Sequence, residues 1–179
     1  ANTFVLPRWR GLRQNEASPR AKVEPGETHL MAVVRKKLTV PYTAGQMQAL
    51  VADVKAYPDF IRWIRRLDVE SETETEAGWA GRATAAVGFK GFSESFCTDV
   101  VSDRLNGLVE VALVSGPFKR LKNKWNFKPA DDGCEVSFFI DFEFSSFLLQ
   151  ALLRANFQRA VSVLMRTFLD EAERRYGSA

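Results

Sequence analysis

From Cys134 to Phe144 the chain reads CEVSFFIDFEF, and from Phe147 to Tyr176 it reads FLLQALLRANFQRAVSVLMRTFLDEAERRY. In the first stretch Val136, Phe138, Ile140, Phe142 and Phe144 face one way, while Glu135, Ser137, Asp141 and Glu143 mostly face the other. A period of two with one apolar side predicts a strand in a sheet with one buried face. The second stretch contains no proline, and Leu149, Leu153, Phe157, Val161, Leu164, Met165, Phe168 and Ala172 recur at steps of three and four. Arg154, Gln158, Arg159, Arg166, Asp170 and Arg174 take the opposite side and Gly177 supplies a stop, so one amphipathic helix is predicted over residues 147–176. At 1.5 Å per residue it extends about 40 Å, enough to cross a whole sheet.

Upstream of this pair, strand-like runs near residues 65–75, 80–89, 92–102, 107–115 and 120–128 are punctuated by Gly78, Gly88 and Gly91, Asn106-Gly107, Gly116-Pro117 and Asp132-Gly133. That spacing predicts an antiparallel meander. A first strand is predicted from Val33 to Val40 and ends at Pro41. Thr43 then caps a short helix with the stripe Met47, Leu50, Val51 and Val54, and a second short piece follows around Tyr57, Pro58, Phe60 and Ile61. The order is β-α-α, six strands, then α. It predicts an α+β helix-grip fold, in which a curved antiparallel sheet of about seven strands wraps around a long C-terminal helix, with two short helices after the first strand. A strongly curved sheet and a straight helix cannot touch everywhere, so the gap between them is expected to form an apolar cavity.

A chain of 179 residues with 46% hydrophobic content predicts one domain, spanning residues 31–177. Residues 1–30 mix arginines with Pro7, Pro19, Pro25, Gly11 and Gly26 without a period, and read as a flexible N-terminal extension. No run approaches the eighteen apolar residues of a membrane span, and no secretory pattern opens the chain. The expected location is the cytoplasm of a bacterium, at most peripheral to its inner membrane, with a mitochondrion as the alternative. Twenty-five basic against twenty-two acidic residues leave +3, too little by itself to argue for nucleic acid. Cys97 and Cys134 lie far apart without a CxxC partner and read as reduced thiols. The only histidine, His29, precedes the patterned region, which leaves the domain without the usual general base, Ser-His or Cys-His dyads, or most zinc sites. No catalytic residue, metal or required cofactor is therefore expected.

Three motifs run through the domain: Val87-Gly88-Phe89-Lys90-Gly91 leading to Glu94-Ser95-Phe96, Gly116-Pro117-Phe118 leading to Trp125-Asn126-Phe127, and Asp141-Phe142-Glu143-Phe144-Ser145-Ser146. With Tyr57-Pro58-Asp59-Phe60 and the terminal helix, they make residues 32–177 resemble the coenzyme Q-binding protein family of the START-like (polyketide cyclase) superfamily, whose bacterial members include the RatA ribosome-association toxin. The loop after Tyr57-Pro58 departs from the family pattern: Trp63 keeps its place, whereas Arg62 and Ile64 do not. The resemblance implies non-catalytic binding of ubiquinone or a related isoprenoid lipid in support of respiratory electron transfer. Its bacterial branch implies the alternative of a regulator that binds the large ribosomal subunit.

The expected ligand-binding wall is Phe89, Phe96, Val111, Leu113, Trp125, Phe138 and Phe142 on the sheet, with Leu153, Phe157, Val161, Leu164, Met165 and Phe168 on the helix. Each also suits plain core packing. Phe60, Ile61, Trp63 and Phe118 combine with turn formers and are expected at an entrance that touches a bilayer interface. Glu94, Ser95, Asp141 and Glu143 read as solvated strand residues, and Lys119, Arg120, Lys122, Lys124 and Lys128 as an exposed edge suited to lipid headgroups or ribosomal RNA.

Overall fold

The computed structural model describes residues 32–89, 91–154 and 157–177. Strand β1 (Ala32–Val40) is followed by helix α1 (Ala44–Ala52), a 3-10 turn (Val54–Ala56) and the single-turn helix α2 (Tyr57–Phe60). Six strands follow: β2 (Ile64–Thr75), β3 (Gly78–Phe89), β4 (Phe92–Asp103), β5 (Leu108–Ser115), β6 (Phe118–Ala130) and β7 (Gly133–Phe144). The predicted single terminal helix is described as two segments, α3 (Phe147–Arg154) and α4 (Phe157–Tyr176). The expected N-terminal extension lies outside the described residues.

All seven strands form one antiparallel sheet in the order β1-β7-β6-β5-β4-β3-β2. Strands β2 to β7 are a simple meander, and β1 closes onto β7 at the far edge. Bulges in β2, β5 and β6 add local twist and bend the sheet toward one face. The shift in β6, between Phe118 and Arg120, resets the alternation so that Phe118 and Leu121 both turn inward. Lys119 and Arg120 then both reach Glu143, at 3.2 and 3.4 Å. Glu143 is therefore buried rather than solvated, because two cationic side chains and the facing strand cover it.

Thr43 caps α1 as its sequence position predicts, accepting from the Gln46 amide at 3.1 Å while the Gln46 side chain accepts from the Thr43 amide at 2.8 Å. Met47, Leu50, Val51 and Val54 are buried. They join Val40, Val109, Trp125, Phe127, Val136, Phe138, Val161, Met165 and Phe168 in one core. Cys97 and Cys134 stand on β4 and β7, three inter-strand steps of about 4.8 Å apart, and both are free thiols.

Candidate functional site

The concave face has two ends with different packing. At the end beneath α1, rings lock into one another. Trp125 meets Phe138 at 4.6 Å and Phe168 at 5.1 Å between centroids, and Phe168 meets Tyr57 and Phe60 at 5.4 and 5.5 Å. These edge-to-face contacts bridge the space between sheet and helix. The Tyr57 hydroxyl donates to the Val51 carbonyl at 2.6 Å, and burial pushes its pKa far above that of a free phenol.

Several polar groups hold this end shut, and two of them carry no obvious sequence signal. Gln48 is buried, and its amide nitrogen lies 2.7 Å from the Asp103 carbonyl and 3.2 Å from both the Leu108 carbonyl and Ser102 Oγ, which ties α1 to the β4–β5 turn. Glu171 is buried on α4, where hydrogen bonds from Arg174 and then Arg175, with their charges, outweigh desolvation and hold its carboxyl at about 2. Arg175 also pairs with Asp53 at 2.8 Å, and the Tyr176 hydroxyl donates to the Gln46 carbonyl at 3.0 Å. Helical period does place Glu171 in line with Leu164 and Phe168. That alignment is the one clue to its burial.

At the other end, near α3, five phenylalanines form a second group. Phe118 contacts Phe96 at 5.4 Å, Phe144 at 4.7 Å and Phe142 at 6.5 Å, and Phe142 contacts Phe157 at 4.3 Å. Here Phe96, Phe118, Phe144 and Phe157 are only half-buried, as are Val111, Leu113 and Leu164. β3 contributes little volume, because its inward residues Ala83 and Ala85 are small. The backbone of α4 approaches α1 at more places than any strand, so side chains alone bridge helix and sheet over most of its length. Two polar residues point to the same side: Thr98, buried on β4, and Asn123, between Leu121 and Trp125 on β6, whose amide donates to the Phe139 carbonyl at 3.3 Å.

The structure thus divides the expected wall. Trp125, Phe138, Val161, Met165 and Phe168 belong to the continuous core; Phe96, Phe142 and Phe157 belong to the second aromatic group; Val111, Leu113 and Leu164 lie half-buried beside them. The side chains of Phe89 and Leu153 lie outside the described residues. At the expected entrance, Ile61 is 1% exposed and Phe60 packs on Tyr57 and Phe168. Ile61 is a core residue, and Phe60 is half-buried with its ring against Phe168 of α4. Trp63 and Phe118 are half-buried at the α3 end. The large apolar side chains exposed near them are Phe147 and Leu148 of α3.

A separate cleft of about 410 Å³ lies between α1 and the tips of β2, β3 and β4, lined by Gln48, Ala49, Ala52, Lys55, Glu72, Glu74, Trp79, Ser102 and Arg104 among others. Its charges are paired, Lys55 with Glu72 at 2.7 Å and Arg104 with Glu74 at 2.6 Å. Nothing in the hydrophobic periodicity foretells it, because the bulge at Ser71, with φ of 53°, is what turns β2 there. Among the described residues no group of three metal-ligating side chains comes together.

Residues 40–169 match the family described as polyketide cyclase / dehydrase and lipid transport. Among curated proteins, the ribosome association toxin RatA of Rickettsia prowazekii is 31% identical over 75% of this chain and 91% of its own length. The mitochondrial coenzyme Q-binding protein COQ10 of Drosophila melanogaster is 30% identical over 79% of this chain and 59% of its own. Among solved structures, an 18 kDa protein from Caulobacter crescentus is 40% identical, with a TM-score of 0.67 over 83% of this chain and 99% of that one. An aromatase/cyclase from Streptomyces shares the fold at 17% identity, with a TM-score of 0.69 over 82% of this chain and 96% of that one.

Proposed function

We propose that this chain, which belongs to the polyketide cyclase / dehydrase and lipid transport family, binds ubiquinone or a related isoprenoid lipid between the α3-end phenylalanines and α4, without catalysing a reaction, in support of respiratory electron transfer. The observation that carries this reading is the half-burial of inward-facing Phe96, Val111, Leu113, Phe157 and Leu164. Apolar side chains that face a covering helix are ordinarily sealed, and a flat quinone ring or a polyprenyl tail supplies the missing contact area. Thr98 and Asn123 are the nearest polar anchors for a quinone carbonyl. The similarity to COQ10, a coenzyme Q-binding protein by name, supports the ligand class. The non-catalytic reading rests on the chain's single histidine preceding residue 32 and on Asp141 and Glu143 being held by Arg120. Organic extraction of purified protein followed by mass spectrometry is expected to release quinone. Protein that is consistently empty and takes up no quinone from detergent solution would overturn the reading.

A second reading, binding to the large ribosomal subunit, is favoured by the similarity to the RatA toxins and by the outer face of β1 and β6. Arg35, Lys37, Lys122 and Lys128 are exposed there. Phosphate-rich RNA is the natural complement of such a face. Co-sedimentation with purified large subunits that is lost in Lys122→Glu with Lys128→Glu would support it, and sedimentation as free protein would remove it.

A further inference from the structure

We infer that the α3 end of the molecule docks onto the surface of an anionic lipid bilayer, with Phe147 and Leu148 entering the interface. Helix α3 reads FLLQALLR, in which only Gln150 and Arg154 are polar. A helix so uniformly apolar is ordinarily buried on all sides. Here Leu149 is buried, yet Phe147 is 82% and Leu148 66% exposed, so among the described residues the helix has an apolar side without a protein partner.

Charge identifies the occupant. The α3 end is a continuous rim. The Gly88 amide donates to the Trp63 carbonyl at 2.9 Å, and a Cβ at Gly88 would strike the Arg65 guanidinium, so the start of β2 borders the β3–β4 turn. A Cβ at Gly116 would strike Phe96, and the Ser145 amide donates to the Pro117 carbonyl at 2.8 Å, so the β5–β6 turn joins that turn to α3. Phe157, packed on Phe142, brings in the first turn of α4. Among the described residues of this rim, Arg62, Arg65, Lys119 and Arg159 are exposed cations and Glu94 is the one carboxylate. Exposed apolar side chains ringed by cations fit a bilayer whose headgroups are anionic and whose acyl region starts just beneath them. Among the described residues no helix is long and apolar enough to cross a membrane, so the contact is interfacial. The inference rests on the proposed lipid function, for which this contact is the loading route, because the five phenylalanines behind the rim lead directly to the concave face.

The test is flotation of the full chain with vesicles of phosphatidylcholine alone and of phosphatidylcholine with phosphatidylglycerol, beside uptake of detergent-dispersed ubiquinone as an independent measurement. The wild type is expected to float with the anionic vesicles, less so as salt rises. Phe147→Ser with Leu148→Ser is expected to lower the bound fraction about tenfold with an unchanged thermal midpoint, since exposed positions contribute little to folding. Arg62→Glu with Arg65→Glu is expected to lose the preference for anionic vesicles. Docking is overturned if the double serine variant floats like the wild type, if the wild type floats with neither vesicle, or if the exposed residues instead support a concentration-dependent dimer that the serine variant abolishes. Flotation without quinone uptake leaves docking standing and removes the proposed ligand; uptake without flotation does the reverse.

Discussion

At the α1 end of the concave face Trp125, Phe138 and Phe168 are at most 4% exposed, whereas at the α3 end Phe96, Phe118 and Phe157 remain half-buried although they too touch other rings. Both ends are rich in aromatic residues, so composition does not separate them. What differs is the cover. The α1 end is closed by a capped helix, by the Gln48 amide and by the pairing of Arg175 with Asp53, while the α3 end is covered by a short apolar helix and by one turn of α4. One fold thus keeps a solid core for stability beside a less tightly sealed region, which is where the proposed ligand would sit.

The contrast is most severely tested by truncation at the solid end. Trp125→Ala is expected to destabilise by about 4 kcal/mol, the range for removing a buried aromatic side chain, as read by chemical denaturation. A cost below about 1 kcal/mol would mean that this end is not solid. Next is the charge network that holds α4. Glu171→Gln is expected to cost roughly 3 kcal/mol, because two arginines lose their shared partner. The carboxyl is depressed to about 2, so its contribution is fully present above the ordinary carboxylate range and disappears as pH falls from about 4.5 through about 2. Wild-type stability should therefore drop across that window by more than that of Glu171→Gln.

Gln48→Leu leaves Ser102 Oγ and two carbonyls without their donor, and about 2 kcal/mol is expected, with hydrogen exchange rising first at the β4–β5 turn. The smallest effect on stability is expected at the α3 end. Leu113→Trp adds volume where the inward side chains are only half-buried and should change stability by less than about 1 kcal/mol while abolishing quinone uptake. A large destabilisation there would make both ends equally solid and erase the comparison.

The element order, the turns and the apolar faces were legible in the sequence because each depends on local rules: a period of two, a period near four, a capping threonine, glycine at turns. The resemblance carried by the Gly88, Gly116 and Asp141 motifs agreed with the family and the fold. Glu143 and Ile61 departed from their local readings for tertiary reasons. The first is covered by cations that a bulge in the neighbouring strand redirects, and the second is folded into the core that joins α1, the sheet and α4.

Sequence by itself determined which residues are apolar, on which face of their element they lie, and that sheet and helix must cover one another. Only the tertiary structure decided which inward-facing aromatic residues became solid core and which stayed half-buried. Periodicity assigns a side chain to a face but not to a position along the helix axis, and that position depends on where α1, the Arg175 pairing and the bulges bring distant segments together. It also decided that Phe147 and Leu148 of α3 are left uncovered, since pattern alone cannot tell a helix that has found a partner from one that has not.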